Sequence, residues 1–217
     1  NKAAAEMVSR VAKIVGPVAN KMWVSTFHSA CSRILRYDGD VVGVKNGFTI
    51  YDTNDAARLV DYARRDIGAD PKRFSAKSVY RMISSMKNEM ITPAMAIERA
   101  DMDTQSTIAK IYAEYEHRLR NANAVDFDDL LIKVVEMFRT SPEKLAKYQA
   151  RFQHILVDEF QDTNLAQFEL VSKIATEHRN ITVVGDGDQS IYKFRGADHQ
   201  NFGRFEETFD DAETVIL

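Results

Sequence analysis

Two short apolar runs, each ending in acid, constrain this chain more than any other feature. Ile155, Leu156 and Val157 run into Asp158 and Glu159, and Ile181 to Val184 run into Gly185 and Asp186. Between them Leu165, Phe168, Val171, Ile174 and Ala175 keep the spacing of one helix face. Continuously apolar, β-branched runs of this length suit strands covered on both faces. A helix joining two of them predicts a parallel pair with a right-handed crossover. Such sheets bind ligands at the carboxyl ends of their strands, so Asp158, Glu159, Asp186 and Gln189 are expected to converge there.

Adjacent carboxylates in that place have two readings. One can hold Mg²⁺ through its hydration shell while the other accepts a proton from an attacking water, the two carboxylate tasks of nucleoside triphosphate hydrolysis. Alternatively, Asp158 caps the next helix. The dipeptide alone leaves both open.

VDEFQDTN followed by VVGDGDQSIYKFRGAD closely resembles motifs II and III of the UvrD/PcrA/Rep family of superfamily 1 DNA helicases. NKAAAEM resembles the family's motif Ia, and STFHSACSRILR its next DNA-contacting motif. The resemblance implies ATP and Mg²⁺ as cofactors, with Asp158 coordinating the metal, Glu159 as catalytic base, and Gln189 sensing the γ-phosphate and coupling it to DNA. It implies that Tyr192 and Phe194 stack on bases beside Arg195. Many relatives carry Trp at the place of Phe194, so stacking is kept in kind. It also implies single-stranded DNA contacts at Thr26, Phe27 and His28, with Thr26 near a phosphate and Phe27 beside a base. On spacing alone, Tyr192 and Phe194 flank Lys193 and would face one side of an extended loop. Burial of both rings beneath the loop is the other open reading, as is core packing for Phe27 and His28.

The chain has 217 residues, 45% of them hydrophobic and 28% charged, which suits a soluble globular protein of one or two domains. The single Cys31 excludes an internal disulfide framework, and five scattered His give no zinc-ligand spacing. No apolar run of about 18 residues and no signal-peptide pattern occurs, so neither membrane insertion nor secretion is expected, and a cytoplasmic setting is. GDGD at 185–188 lacks the EF-hand spacing and its closing Glu. Lys2, Arg10, Lys13, Lys21, Arg33 and Arg36 face Glu6 alone in the first 36 residues, while Glu206, Glu207, Asp210, Asp211 and Glu213 close the chain without a base. The basic stretch suits phosphate contact or a solvated helix face.

In chain order, Met7, Val8, Val11, Ile14 and Val15 form one helical stripe ended by Gly16 and Pro17. Met22 to Ser25 reads as a strand leading into a helix that runs to about Tyr37, and Thr214 to Leu217 as another strand. Gly39, Gly43 and Gly47 punctuate a loop or hairpin. Residues 51–152 read as helices with a Met-rich interior: Asp52, Thr53 and Asn54 cap the first, with Ala56, Val60, Ala63 and Ile67 inward and Gly68 closing it. Val79, Met82, Ile83, Met86 and Met90 mark the next, then Ile108, Ile111, Tyr112, Tyr115 and Leu119. DFDDLL at 126–131 opens another, its acids explained by capping and the helix dipole.

G-x-x-x-x-G-K-[ST], whose amides and Lys cradle the phosphates of a nucleotide, does not occur. In the resembled family that loop lies shortly before motif Ia, so the chain is expected to begin just downstream of it and to stop before a second motor domain. The expected fold is α/β: an incomplete P-loop NTPase (RecA-like) parallel sheet interrupted by an all-helical subdomain. Residues 1–50 and 153–217 form the motor parts and 51–152 the insert. The resemblance implies, for the parent protein, an ATP-dependent 3′ to 5′ DNA helicase acting on single-stranded and duplex DNA in repair or replication. A non-enzymatic DNA-binding or partner-docking module is the alternative, and the fragment alone is expected to be inactive.

Overall fold

The computed structural model describes residues 2–186 and 201–216. Helix α1 (Lys2–Val15) ends at Gly16, whose φ of 71° is free of strain only for glycine, and a 3₁₀ segment, Gly16–Lys21, follows. The α1 stripe is largely uncovered, with Ile14 84% exposed. Helix α2 (Phe27–Asp38) starts at Thr26, whose Oγ1 accepts the Ser29 N–H, and buries Cys31, Ile34 and Leu35. Met22 to Ser25, expected as a strand, joins no ladder among the described residues. Without a neighbouring strand its backbone stays open. Its ring is taken up instead: Trp23 packs edge-on against Phe152 and lies under the guanidiniums of Arg33 and Arg151.

The glycine-punctuated crossing is a 3₁₀ turn, Gly39–Val42, followed by strand β1 (Thr49–Ile50). Helices α3 (Thr53–Asp66), α4 (Ala76–Asn88), α5 (Pro93–Glu98) and α6 (Asp103–Asn121) come next, and β2 (Ala124–Val125) returns parallel to β1 in the register Thr49↔Ala124 and Ile50↔Val125. That pairing holds the two ends of the helical segment side by side. Local chemistry dictates the helix starts. The Asp52 carboxylate accepts the N–H groups of Asn54 and Asp55, and Ser75 and Thr92 cap α4 and α5. The stripes are buried against one another, except that Ile67 and Met82 face outward and Met90 packs on the core around α2. The expected Met-rich interior is not found, since Met102 is also exposed and the buried Met137 lies in that other core.

The packing divides the chain elsewhere than helical content does. Helices α7 (Asp129–Thr140) and α8 (Pro142–Arg151) lie in the expected helical unit of 51–152, yet their buried apolar side chains belong to a different core from those of α3 to α6. Leu130, Leu131, Val134, Val135, Phe138 and Tyr148 share a core with Ile34 and Leu35 of α2, and with Leu170 and Ile174 of α9 (Leu165–Ala175). The cause is that α7 is apolar on more than one side, so α2 and α9 can both pack on it.

Strands β3 (Ile155–Val157) and β4 (Ile181–Val183) flank α9 and pair in parallel, Ile155↔Ile181 through Val157↔Val183, as the apolar runs predict, but they are not covered on both faces as expected: Leu156 is 75% exposed. Helix α10 (Asn201–Thr208) brings Phe205 and, just beyond it, Phe209 against Val157, Phe160, Phe168 and Val171 in a third core. Thr214 to Leu217, expected as a strand, is unpaired through residue 216, and Ile216 is 94% exposed. No strand among the described residues offers it a ladder. The whole is a mostly helical α/β structure with small parallel sheets.

Candidate functional site

The acids stand where the parallel pair predicts. Val157 is the last residue of β3, and the chain leaves it through Asp158 and Glu159 into a short 3₁₀ turn, Phe160–Asp162. Glu159 has φ 52° and ψ 43°, a left-handed conformation that a side chain other than glycine or asparagine rarely adopts. Strain of this kind, of order 1–3 kcal/mol, persists where surrounding contacts enforce it. One carboxamide bonds Glu159 directly, and two more fix the chain that follows it. Gln161, only 3% exposed, donates from Nε2 to Glu159 Oε2 at 2.6 Å and accepts the Asp186 N–H at Oε1 at 3.1 Å. Asn164 closes a reciprocal capping box with Gln167 at the start of α9 and donates to Asn88 Oδ1 of α4 at 2.5 Å. Asn201, fully buried at the start of α10, donates to the carbonyl and the hydroxyl of Thr163.

Asp158 and Glu159 themselves are exposed, and among the described residues neither meets a cation. Asp158 Oδ1 accepts the Glu159 N–H at 3.1 Å, so it does not cap α9, a task that falls to Asn164. A single exposed carboxylate is what Mg²⁺ accepts when it keeps its waters and binds through phosphates; it is not an all-protein cage. Among the described residues no group of three or more His, Cys, Asp or Glu side chains is placed to hold a metal ion. Asp162, close by, is pushed upward in pKa by burial and by the charge of Glu159, and its Oδ1 is buried without a partner.

At the α2 end, Thr26 is the N-cap and Phe27 is half-buried, packed against both the α2–α7 core and the core under β3. His28 is stacked on Phe127, with ring centroids 4.0 Å apart and planes 24° from parallel, and burial lowers its pKa to about 4. The ring is therefore neutral at pH 7. Phe127 itself is 53% exposed. The helix begins only at Asp129, and Phe127, two residues ahead of it, is left outside the α7 core. Nothing in the sequence pattern distinguishes it. Gln189, Tyr192, Phe194 and Arg195 lie outside the described residues. Of the basic residues at the start of the chain, Arg33 covers Trp23 and Arg36 covers Phe48. No helix among the described residues is long and apolar enough to cross a membrane.

The family model for the UvrD/REP helicase N-terminal domain matches residues 1–210. Among curated relatives, the ATP-dependent DNA helicase PcrA of Staphylococcus aureus (strain Mu50 / ATCC 700699) is 44% identical over 217 residues. The ATP-dependent DNA helicase UvrD1 of Mycobacterium tuberculosis (strain CDC 1551 / Oshkosh) is 45% identical over 228. Each match covers 100% of this chain and 30% of the relative's length.

Proposed function

Because the chain belongs to the UvrD/REP helicase N-terminal domain family, we propose that the intact protein carrying it is an ATP-dependent DNA helicase that moves 3′ to 5′ along single strands and unwinds duplex in repair or replication. The chief support within the chain is the uncompensated acid pair, Asp158 and Glu159, at the end of β3 beside the end of β4. Bound Mg·ATP would supply the reactive phosphate, with the metal offsetting its charge. Asp158 would hold that metal through water, and Glu159 would take the proton of the attacking water. Gln161 occupies Glu159 Oε2, which leaves Oε1 without a bond among the described residues and open to that water. Gln189 would report the γ-phosphate to the DNA site. The 217 residues hold these acids without a glycine-rich phosphate cradle, so turnover is proposed for the intact protein and not for this chain alone.

Single-stranded DNA would run past Thr26, Phe27 and His28 and on to Tyr192, Phe194 and Arg195. The exposed Phe127 ring, backed by neutral His28, extends this set. Base stacking on a ring contributes about 1–3 kcal/mol and tolerates any sequence. For the domains, we propose the motor parts at 1–50 and 153–217 with the helical unit between them, its self-contained portion ending near 124 where the cores divide. A cytoplasmic setting completes the proposal.

The test is Glu159→Gln in the intact protein. It should bind ATP normally and slow DNA-stimulated phosphate release by about 10²- to 10⁴-fold, the usual share of a positioned base. Normal turnover would remove Glu159 from the chemistry. In the same protein, Phe127→Ala should weaken binding to an unstructured oligonucleotide with little change in its salt dependence, whereas loss of a phosphate contact would lower the salt slope.

A further inference from the structure

We propose that Gln161 is the positioning residue for the Glu159 carboxylate, and that Gly185 is glycine to admit it. The proposal rests on the reading of Glu159 as base. Three observations converge on it. First, Gln161 is buried, yet both ends of its carboxamide are used: Nε2 donates to Glu159 Oε2 at 2.6 Å, and Oε1 accepts the Asp186 amide at 3.1 Å. The orientation is self-consistent, because a flipped amide would set oxygen against carboxylate and N–H against N–H. Second, Glu159 sits in a left-handed backbone conformation, which its own residue type does not favour, so its side-chain direction needs outside support. Third, a Cβ on Gly185 would lie 2.5 Å from Gln161 Oε1 and 3.0 Å from the Phe202 ring. The end of β4 therefore has to be bare for the carboxamide to reach across to it.

The physical consequence is a directed base. A donor on one carboxylate oxygen restricts the side chain to one rotamer and leaves the other oxygen as the proton acceptor. The same carboxamide spans both parallel strand ends, so the base keeps its position relative to the chain that leaves β4 at Asp186. A misplacement of about 1 Å at a reacting group lowers turnover on the order of 10²-fold.

The experiment uses the intact protein and two near-isosteric variants. Gln161→Leu removes both bonds, while Gln161→Glu keeps an acceptor for the Asp186 amide and replaces the donor to Glu159 with a like charge. Both should lower kcat for ATP by about 10- to 100-fold, leave KM for ATP within about twofold, and melt near the parent temperature. Slowing in Gln161→Leu alone would assign the residue to the strand tie and overturn the proposal. In a Glu159→Gln background, Gln161→Leu should cause no further loss. A multiplicative loss there would mark a general structural role and also overturn it. Should Glu159→Gln leave turnover intact, the base reading fails. The contact is then judged by hydrogen exchange at Asp186: exchange about tenfold faster in Gln161→Leu but not in Gln161→Glu upholds the carboxamide bridge, and unchanged exchange in both refutes it.

Discussion

Two acidic clusters that look alike in sequence, DFDDLL and DEFQD, end in opposite states. In the first, Asp126 and Asp129 are buried and exchange bonds with each other's backbone N–H, and both accept from Lys87 Nζ, at 2.8 and 2.6 Å. Tyr115 donates to Asp126, and Glu116 adds an ion pair to the amine at 2.6 Å. Burial works against the charge on Lys87, but the three carboxylates overcome it and hold the amine well above its ordinary pKa. Asp126 is likewise opposed by burial and carried downward by Lys87 and Tyr115. Asp129 bears the excess: burial and the neighbouring Asp126 hold it well above the carboxylate range. In the second cluster, Asp158 and Glu159 meet no amine among the described residues and face solvent. A buried cation makes acid structural, whereas acid without one at a strand end is available for chemistry.

The largest effect should come from removing that cation. Lys87→Ala leaves Asp126, Asp129 and Glu116 without the cation they share, and urea unfolding should show a loss of about 3–5 kcal/mol. A loss under about 1 kcal/mol would mean that the cluster is not held by its amine. If the variant does not fold, adding Asp126→Asn and Asp129→Asn to Lys87→Met should restore most of the stability, since an uncharged set of similar volume is tolerated.

Asp38 is an intermediate case. It is buried at the end of α2, where burial raises its pKa but Lys144, Lys147 and Tyr148 outweigh it and bring the carboxyl down to about 2. The folded value lies below the unfolded value of about 3.9, so the contribution is complete above pH 4 and is lost as pH falls toward 2. Asp38→Asn should lower stability at pH 7 by about 2 kcal/mol and flatten the acid limb between about pH 4 and 2. An unaltered limb would remove Asp38 from the acid response.

A smaller effect is expected at the seam between the two clusters. Asp128 accepts from Ser84 and Asn88, and Asn88 accepts from Asn164, which caps the helix after the second cluster. Asn164→Ala should lower the melting free energy by about 1 kcal/mol, and a neutral result would show that Gln167 caps α9 without help. Smallest of all, Asp158→Asn should change stability by no more than about 0.5 kcal/mol, as a solvated surface group does. A loss comparable to that of Lys87→Ala would abolish the distinction between the clusters.

The strand–helix–strand unit, the place of Asp158 and Glu159, the caps of α3 and the buried stripe of α6 were all legible in the residues, because each depends on spacing within one element. Gln161 was not. It stands inside DEFQD as one polar residue among others, and its use depends on how near β4 comes to β3. Phe127 was not singled out either; its ring is exposed because α7 begins only at Asp129, two residues beyond it.

Local pattern, then, determined where α3, α6 and α9 form, that the runs at 155–157 and 181–183 pair in parallel, and which acids end a strand. Tertiary structure alone decided that α7 and α8 pack with α2 and α9, that Met22 to Ser25 stays without a ladder, and that Lys87 is buried among the acids of one cluster while the other meets no cation among the described residues. The physical reason is range. Periodicity and capping are set within about one turn of chain, whereas burial of a charge depends on partners such as Lys87 and Asp126, 39 residues apart, which only the folded chain brings together.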